Sequence, residues 1–342
     1  MERTWVEVSK DALKHNVTVI RGLVGRGTKI MAVVKANAYG HGLIGVAKVL
    51  TTTADWLGVF TAEDALALRK AKIKAPILVL GATTLDDIKW LAKHKFPVHI
   101  KVDTGLSRLG VSLEGLADFV RDIPKNITIE GLYSHFADAE NIKDRGFTLQ
   151  QIANFKKAIS IMSEHKIAPL ITHIAATDGM IMYPEAEFDM VRAGIAIYGV
   201  PPSRDFQNKF ALLGLRPALS WKTRIVQLKS IPKGATVGYG RTETVSRPTR
   251  IALLPIGYWD GYPRALSGRA YVAVGGIRCK VLGMISMNVT VIDVTAVSGV
   301  VVGDEVELIG EHVSALELAE LGDILSYELI TRINPWIPRN YV

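Results

Sequence analysis

The sequence has few of the residues that build covalent or metal-linked scaffolds. Cys279 is the single cysteine among 342 residues, which excludes a disulfide within the chain and a cysteine-based metal site. No two histidines stand at His-x-x-x-His spacing, and no carboxylates cluster at the spacing of metal ligands. We therefore predict a protein without a metal centre, and the single cysteine fits a reducing compartment.

Long apolar segments and dense basic runs are also missing. No apolar run is long enough to cross a membrane, and the first five residues do not resemble a signal peptide, so we expect a cytoplasmic protein. The 41 Lys and Arg exceed the 33 Asp and Glu and give a formal net charge of +8, but they are scattered along the chain. We expect no nucleic-acid and no membrane partner, and interpret the positive charge as hydrated surface that mildly steers small anionic molecules.

Apolar runs and helical patterns alternate up to about residue 200. The β-type runs cover 30–34, 56–60, 77–80, 98–102, 127–133, 170–174 and 190–197, and the helical patterns cover 9–25, 43–50, 62–72, 85–94, 113–123 and 149–165. Strands separated by helices pair in parallel, and the glycine fingerprint of a dinucleotide-binding sheet is absent. The alternation predicts a (β/α)8 TIM-type barrel, with a count about one unit short of eight.

From about residue 215 the pattern changes to short β-type runs. Turn signals such as Pro232-Lys-Gly234 and Gly275-Gly276 separate these runs, and a single helical pattern remains at 314–321. We predict two domains, a barrel over residues 1–214 and a β-rich domain over 215–342. The first few residues are free to pair with the β-rich domain.

Lys35 stands where the first apolar run ends and a turn of small residues begins. Ligands of α/β folds bind at the carboxyl ends of the parallel strands. A lysine pressed against an apolar strand loses hydration, which lowers its pKa and makes the neutral amine available for Schiff-base chemistry. The plainer interpretation, a first hydrated residue after a core strand, is the more common outcome for such a pattern.

Polar side chains follow several other predicted strands. Because the carboxyl ends of barrel strands face one mouth, we expect these side chains to converge there: Lys35, Lys101, Arg108, His135, Thr177 and Arg192. Each alone has an ordinary explanation, such as a helix cap or a surface ion pair. Gly194 and Ile195, after the last strand, offer backbone N–H groups to a phosphate, and Thr177 adds a hydroxyl.

The stretch Ala32-Val-Val-Lys35-Ala-Asn-Ala-Tyr39-Gly-His41-Gly resembles the lysine motif of bacterial alanine racemases, which use pyridoxal 5'-phosphate (PLP). The resemblance continues in order over nearly the whole chain, through motifs that begin at Asp103, Arg108, Ser134, Arg192, Gly238, Gly257 and Ser286. It implies a (β/α)8 barrel with a C-terminal β domain, assembled as a head-to-tail homodimer with shared active sites. The implied reaction interconverts L-alanine and D-alanine and supplies D-alanine for peptidoglycan.

The resemblance also implies roles for individual residues. Lys35 holds the cofactor and acts as the base on one face of Cα, while Tyr239 of the other subunit serves the opposite face. Racemisation needs both, because a proton leaves one side and returns on the other. His135 and Arg192 stand behind Tyr239 and stabilise its phenolate. Arg192 also faces the pyridine nitrogen and keeps that nitrogen unprotonated.

The remaining implied roles concern binding. The phosphate is held by Tyr39, Thr177, Gly194, Ile195 and Tyr327. The substrate carboxylate is bound by Arg108 and by the Met287 backbone N–H of the partner subunit. The access channel to the site is lined by Asp138, Tyr258 and Arg264. Lys101 matches a lysine that is often carbamylated in this family. The chain departs from the usual pattern at Met284 and Asn288, on either side of Met287.

Four alternatives stay open. A racemase of the same fold that prefers serine or a basic amino acid differs only in pocket lining. A decarboxylase of the same fold places a carboxylate opposite the pyridine nitrogen, where this chain has Arg192. A non-catalytic PLP carrier resembles the barrel alone. The last alternative is a structural barrel with an ordinary lysine.

Overall fold

The computed structural model describes residues 2–141 and 143–342. The predicted first domain begins at Met1, which lies outside the described residues, as does Ile142. The chain divides into two compact units. The barrel unit comprises Lys14–Ala38 and Leu43–Ile197. The β unit comprises Tyr39–Gly42, Tyr198–Val342 and the described residues of Met1–Leu13.

The barrel unit is built from parallel strands. Its strands are β2 (Lys29–Val33), β3 (Trp56–Val59), β4 (Ile77–Val79), β5 (His99–Asp103), β6 (Val111–Ser112), β7 (Gly131–Tyr133), β8 (Ile171–His173) and β9 (Met190–Ala193). They form two parallel sheets in the orders β4-β3-β2-β9 and β6-β5-β7-β8. Backbone bonds from Asp189 N to Thr172 O (3.0 Å) and from Arg192 N to Ala175 O (3.0 Å) join β8 to β9.

Helices separate most of these strands. They are α1 (Lys10–Leu23), α3 (Leu43–Leu50), α4 (Ala62–Lys70), α5 (Leu85–Lys93), α6 (Leu116–Arg121), α7 (Gly146–Glu164), α8 (Thr177–Met182) and α9 (Ile195–Tyr198). The starts of α4 and α5 are fixed by Thr61 and Thr84, whose hydroxyls accept backbone N–H groups of the first turn. Strands β3 and β4 are apolar and buried throughout, as is β2 after Lys29, which is typical of parallel strands between a core and a layer of helices. Strand β8 is equally buried but contains the polar residues Thr172 and His173. The predicted alternation of strands and helices is present.

Two predicted strands are shorter than expected. The run at 127–133 yields only β7, because the Ile127 N–H bonds to the Pro124 carbonyl in a turn and pairing with β5 begins at Gly131. The run at 190–197 changes at Gly194 from β9 to the helical turn α9. In addition, β6 follows β5 after the loop 104–110 without a helix, and it has only two residues.

The β unit contains a nine-stranded sheet. In spatial order its strands are β11 (Gln227–Ile231), β14 (Thr249–Leu254), β17 (Thr290–Asp293), β16 (Ile277–Leu282), β15 (Tyr271–Val274), β18 (Glu305–Ile309), β10 (Leu219–Arg224), β1 (Thr4–Val8) and β19 (Arg339–Tyr341). A hairpin of β12 (Thr236–Val237) and β13 (Glu243–Thr244) packs around Val237, in a core shared with Val245, Ile251 and Leu282. Strand β1 pairs antiparallel with β10 and parallel with β19, so the start of the chain belongs to this unit.

The β unit has more helix than expected. The predicted segment at 314–321 forms α11 (Ala315–Leu321), with the Ser314 hydroxyl accepting the Glu317 N–H. The prediction of a single helix after residue 215 was wrong, because a second helix, α12 (Ser326–Thr331), follows α11. The β unit also contains α10 (Arg204–Leu212), which lies before residue 215. At six residues, α12 is too short to show a helical period. Among the described residues, no helix combines the length and apolar character needed to cross a membrane.

Candidate active site

Lys35 opens a left-handed turn at the end of β2. The turn, α2 (Lys35–Tyr39), holds Ala36, Asn37 and Ala38 at φ values of 52°, 55° and 53°. Left-handed backbone costs roughly 1–2 kcal/mol per residue for non-glycine residues, so other bonds must offset it. One is the Leu43 N–H, which bonds to the Asn37 side-chain oxygen at 2.9 Å. The small side chains predicted a turn here but not its handedness.

Cationic side chains surround the Lys35 amine. Burial, followed by the positive charges of Arg108 and Arg192, lowers the pKa of this half-buried lysine. The same effects act on Lys101, since burial and the charges of Arg108, Arg192 and Lys35 lower its pKa to about 8. The barrel unit thus brings together several of the predicted residues around an amine that loses its proton more readily than a surface lysine.

Arg192 is buried at the carboxyl end of β9, with 4% of its surface exposed. Its Nη2 donates to the carbonyls of Ser134 (2.7 Å) and Ile174 (2.8 Å) and to Nδ1 of His135 (3.0 Å). Its Nη1 donates to Nδ1 of His173 at 2.8 Å. These acceptors are all neutral. Burial lowers the pKa of Arg192 to about 10, so the guanidinium stays charged at neutral pH.

The Arg192 bonds determine which imidazole nitrogens carry protons. A guanidinium only donates hydrogen bonds, so Nδ1 of His135 and Nδ1 of His173 must be acceptors. In the neutral rings the proton is then on Nε2. Burial, followed by the Arg192 charge, keeps the pKa of both histidines well below its usual range, so both rings are neutral at physiological pH.

The Thr177 side chain accepts hydrogen bonds from backbone N–H groups at the start of α9. Its hydroxyl oxygen accepts from Gly194 N at 3.2 Å and from Ala196 N at 3.4 Å, and it is itself buried. Gly194 and Ile195 follow β9 directly, as predicted for a phosphate loop. N–H groups that converge on one oxygen also suit an oxygen of a phosphate.

The loop that carries Arg108 is fastened by Asp103. The Asp103 carboxylate accepts N–H groups from Gly105 (2.9 Å), Ser107 (3.1 Å) and Arg108 (3.0 Å). Burial raises the pKa of Asp103, but these backbone donors outweigh it and the net shift is downward. The Arg108 side chain remains exposed. Asp138, a predicted channel residue after β7, is half-buried and bonds to the Asn141 amide at 3.0 Å.

The other predicted residues lie in the β unit. Tyr239 is 74% exposed, in a short 3-10 turn between Gly238 (φ 74°) and Gly240 (φ 70°). Met287 is 55% exposed, and its carbonyl accepts the Trp259 N–H at 3.1 Å.

Two further groups of predicted residues are neighbours within the β unit. Tyr258 and Arg264 line one cavity together with Arg332 and Ile324. The rings of Tyr39 and Tyr327 lie 6.2 Å apart between centroids.

Comparison with known proteins places this geometry in a family. The family model described as "Alanine racemase, N-terminal domain" matches residues 8–96 and 91–202, and the "Alanine racemase, C-terminal domain" model matches residues 218–341. The chain belongs to the alanine racemase family. The barrel with a C-terminal β domain is confirmed, as is the expectation of an amino-acid racemase, an isomerase.

Relatives match along their whole length. The alanine racemase of Halothermothrix orenii is 38% identical over 369 residues, which cover 99% of this chain and 96% of that protein. The alanine racemase of Symbiobacterium thermophilum is 36% identical over an alignment that covers 100% of this chain and 97% of that protein. Among solved structures, alanine racemase from Streptomyces lavendulae gives a TM-score of 0.92 at 30% identity, covering 100% of this chain and 97% of that one. Alanine racemase from Bacillus anthracis with bound L-Ala-P gives a TM-score of 0.92 at 33% identity, covering 100% of this chain and 95% of that one.

The alignment with the H. orenii protein spans 369 positions against 342 residues here, and the two matches of the N-terminal family model overlap at residues 91–96. These residues run from the end of α5 into the segment before β5, within the barrel unit.

Sequence reasoning left out two residues that organise the site. His173 was only one residue of the predicted strand 170–174, and Asp103 only the start of a motif, yet the first binds Arg192 and the second holds the Arg108 loop. The sequence did contain a clue to His173. In a strand, residues two positions apart face the same side, so His173 faces the same side as the buried Ile171.

Proposed function

We propose that this chain interconverts L-alanine and D-alanine with PLP as its cofactor, and thereby supplies D-alanine for peptidoglycan. The observation that carries the proposal is the Arg192 guanidinium, which is buried at the end of β9 and, among the described residues, bonds only to neutral acceptors. A decarboxylase of this fold type has a carboxylate at the corresponding position. The match to both family domains argues against a carrier that consists of the barrel alone.

The residues present fit PLP. Burial, followed by the charges of Arg108 and Arg192, lowers the pKa of the Lys35 amine, and these two cations suit an anionic ligand. The N–H groups that meet at Thr177 suit a phosphate oxygen. We assign Lys35 to the cofactor carbonyl, and from the resemblance the phosphate to Thr177, Gly194, Ile195, Tyr39 and Tyr327. When bound, PLP supplies an electron-withdrawing ring that stabilises negative charge on the substrate Cα.

Two bases on opposite faces perform the proton transfers. The neutral Nζ of Lys35 takes or returns the Cα proton on one face, and the Tyr239 hydroxyl oxygen of a second copy does so on the other. The 74% exposure of Tyr239 in its own chain and its glycine-flanked turn support an approach to another subunit.

His135 prepares that second base. Because Nδ1 of His135 accepts from Arg192, its proton is on Nε2 and is available for donation to the Tyr239 phenolate of the second copy. The Arg192 charge behind His135 favours the phenolate further. We assign the substrate carboxylate to Arg108, whose loop Asp103 holds, and to the Met287 N–H of the second copy.

A homodimer follows from this assignment. Apolar side chains of the β unit are unusually exposed in the single chain, and we propose that a second copy covers them: Tyr239, Tyr258, Trp259, Met287 and Trp336. Sedimentation of the PLP-loaded protein should show a dimer, and a fully active monomer would contradict the shared site. The cytoplasmic location remains a prediction from the sequence.

The test uses purified protein supplied with PLP. We expect a visible absorbance band that the Lys35→Ala variant lacks, and loss of circular dichroism fastest for L-alanine among L-alanine, L-serine and L-lysine. Faster loss for serine or lysine would move the assignment to another racemase of this fold. A band without racemisation of any of the three would refute the proposal.

A further inference from the structure

A third histidine extends the hydrogen bonds behind Arg192. Nδ1 of His99, on β5, lies 2.9 Å from Nε2 of His173, on β8, and both rings are buried. His173 in turn accepts from Arg192 through its other nitrogen. The three side chains therefore form a continuous chain, which we call the Arg192–His173–His99 relay. None of the site roles described above uses His99.

The sequence leaves room for this relay at Gly131. Strand β7 lies between β5 and β8, and Gly131 is the residue directly opposite His99. A Cβ atom at Gly131 would lie 2.5 Å from Nδ1 and 2.6 Å from Cε1 of His99, so no larger residue fits beside the present ring. The imidazole of His99 thus reaches His173 diagonally across β7, whose residue beside His99 has no side chain.

Neighbouring rings hold both imidazoles in place. The Tyr133 ring stacks on His173 with centroids 5.0 Å apart and planes 4° from parallel, and Trp56 lies 5.3 Å from His99. The Tyr133 hydroxyl is itself fixed by the Leu80 carbonyl at 2.9 Å. The relay is therefore a packed arrangement and does not depend on a single contact.

The proton positions follow in one direction along the relay. Arg192 donates to Nδ1 of His173, so the His173 proton is on Nε2 and points at His99. Nδ1 of His99 must accept it, which leaves the His99 proton on Nε2. That Nε2 is buried and has no hydrogen-bond partner among the described residues. The relay thus ends in a neutral imidazole and not in a carboxylate.

We propose that His99 is a positioning residue for Arg192. As a neutral acceptor it keeps the Nε2 proton of His173 satisfied and the Nδ1 lone pair of His173 directed at the guanidinium. A carboxylate in its place would draw a second proton onto His173, and a doubly protonated ring can no longer accept from Arg192. His99 therefore preserves both the orientation and the full positive charge of Arg192. The catalytic consequence rests on the proposed racemase function, whereas the proton positions do not.

The first experiment observes the relay directly. In protein labelled with 15N at histidine, we expect His173 and His99 to be neutral with the proton on Nε2 at neutral pH. A neutral His173 with its proton on Nδ1, or a doubly protonated and therefore positively charged His173, would overturn the proposal whether or not the protein racemises alanine.

The second experiment compares three variants of the PLP-loaded enzyme. His99→Gln keeps a neutral acceptor and should retain kcat within about threefold, whereas His99→Leu should lower kcat between about tenfold and a hundredfold with little change in KM. His99→Glu matches Gln in shape and should give a doubly protonated His173 in the 15N spectrum. Equal kcat for the Gln and Leu variants, or a neutral His173 in the Glu variant, would contradict the positioning role. A variant that does not fold leaves the wild-type spectrum as the deciding result.

Discussion

The Thr177 hydroxyl offers a sharp test of the candidate phosphate loop. Thr177→Val keeps the shape of the side chain but removes the oxygen that accepts the Gly194 and Ala196 N–H groups. Both bonds are long, at 3.2 and 3.4 Å, so each lost partner should cost near the lower end of the usual range of about 1–3 kcal/mol. We expect the free energy of unfolding to fall by about 2 kcal/mol.

Two measurements check this expectation. Urea unfolding of the protein without cofactor measures the change in the free energy of unfolding. Amide hydrogen exchange of the segment 193–198 measures the loss of the hydrogen bonds that its N–H groups make. In Thr177→Val this segment should exchange faster than in the wild type. Thr177→Ser is the matched control, because it keeps the hydroxyl and loses only a methyl group, worth about 1 kcal/mol.

The cofactor provides an independent readout of the same change. If the hydroxyl also binds the PLP phosphate, Thr177→Val should weaken PLP binding about tenfold to a hundredfold, which corresponds to roughly 1.4–2.8 kcal/mol, while Thr177→Ser should bind nearly as the wild type does. The reasoning about the hydroxyl would be refuted if the segment 193–198 exchanged its amide hydrogens in Thr177→Val as slowly as in the wild type. It would also be refuted if the segment exchanged as fast in Thr177→Ser as in Thr177→Val.

Three further predictions concern other parts of the site. Tyr239→Phe should slow solvent-deuterium exchange at Cα far more for one alanine enantiomer than for the other, and equal losses would contradict the two-base assignment. The Lys101 amine, with a pKa lowered to about 8, should be about half neutral at that pH and able to add carbon dioxide, so 13C-bicarbonate NMR should show a carbamate signal that Lys101→Gln lacks. Asn288 bonds to Asp260, whose pKa burial raises, so Asn288→Asp should cost about 1–2 kcal/mol in urea unfolding near neutral pH, where both carboxylates ionise, and less in mild acid. The control Asn288→Ala removes the bond to Asp260 without adding a charge, so its loss of stability near neutral pH should be smaller than that of the Asp variant, and equal losses in the two variants would exclude the repulsion.

Much of this molecule is determined by local patterns. Apolar runs of strand length, separated by helical periods, specify the parallel strands and their helices, and helix α3 spans the predicted residues 43–50. The position of Lys35 at a strand end is visible in the same way, because a polar residue after an apolar run marks the end of a buried strand. The motif series also pointed to the family that the comparisons show.

Tertiary structure decided the contacts between residues that are distant in the chain. His99 and His173 are 74 residues apart, and they meet diagonally across β7, because the register pairs His99 with Gly131 and His173 with Tyr133, two residues further along that strand. The pairing of β1 with β10 and β19 likewise depends on the assembled sheet. Hydrophobic periodicity records which face of an element is buried, but not which buried polar groups will meet. Those meetings depend on strand register and on the need of every buried donor for an acceptor.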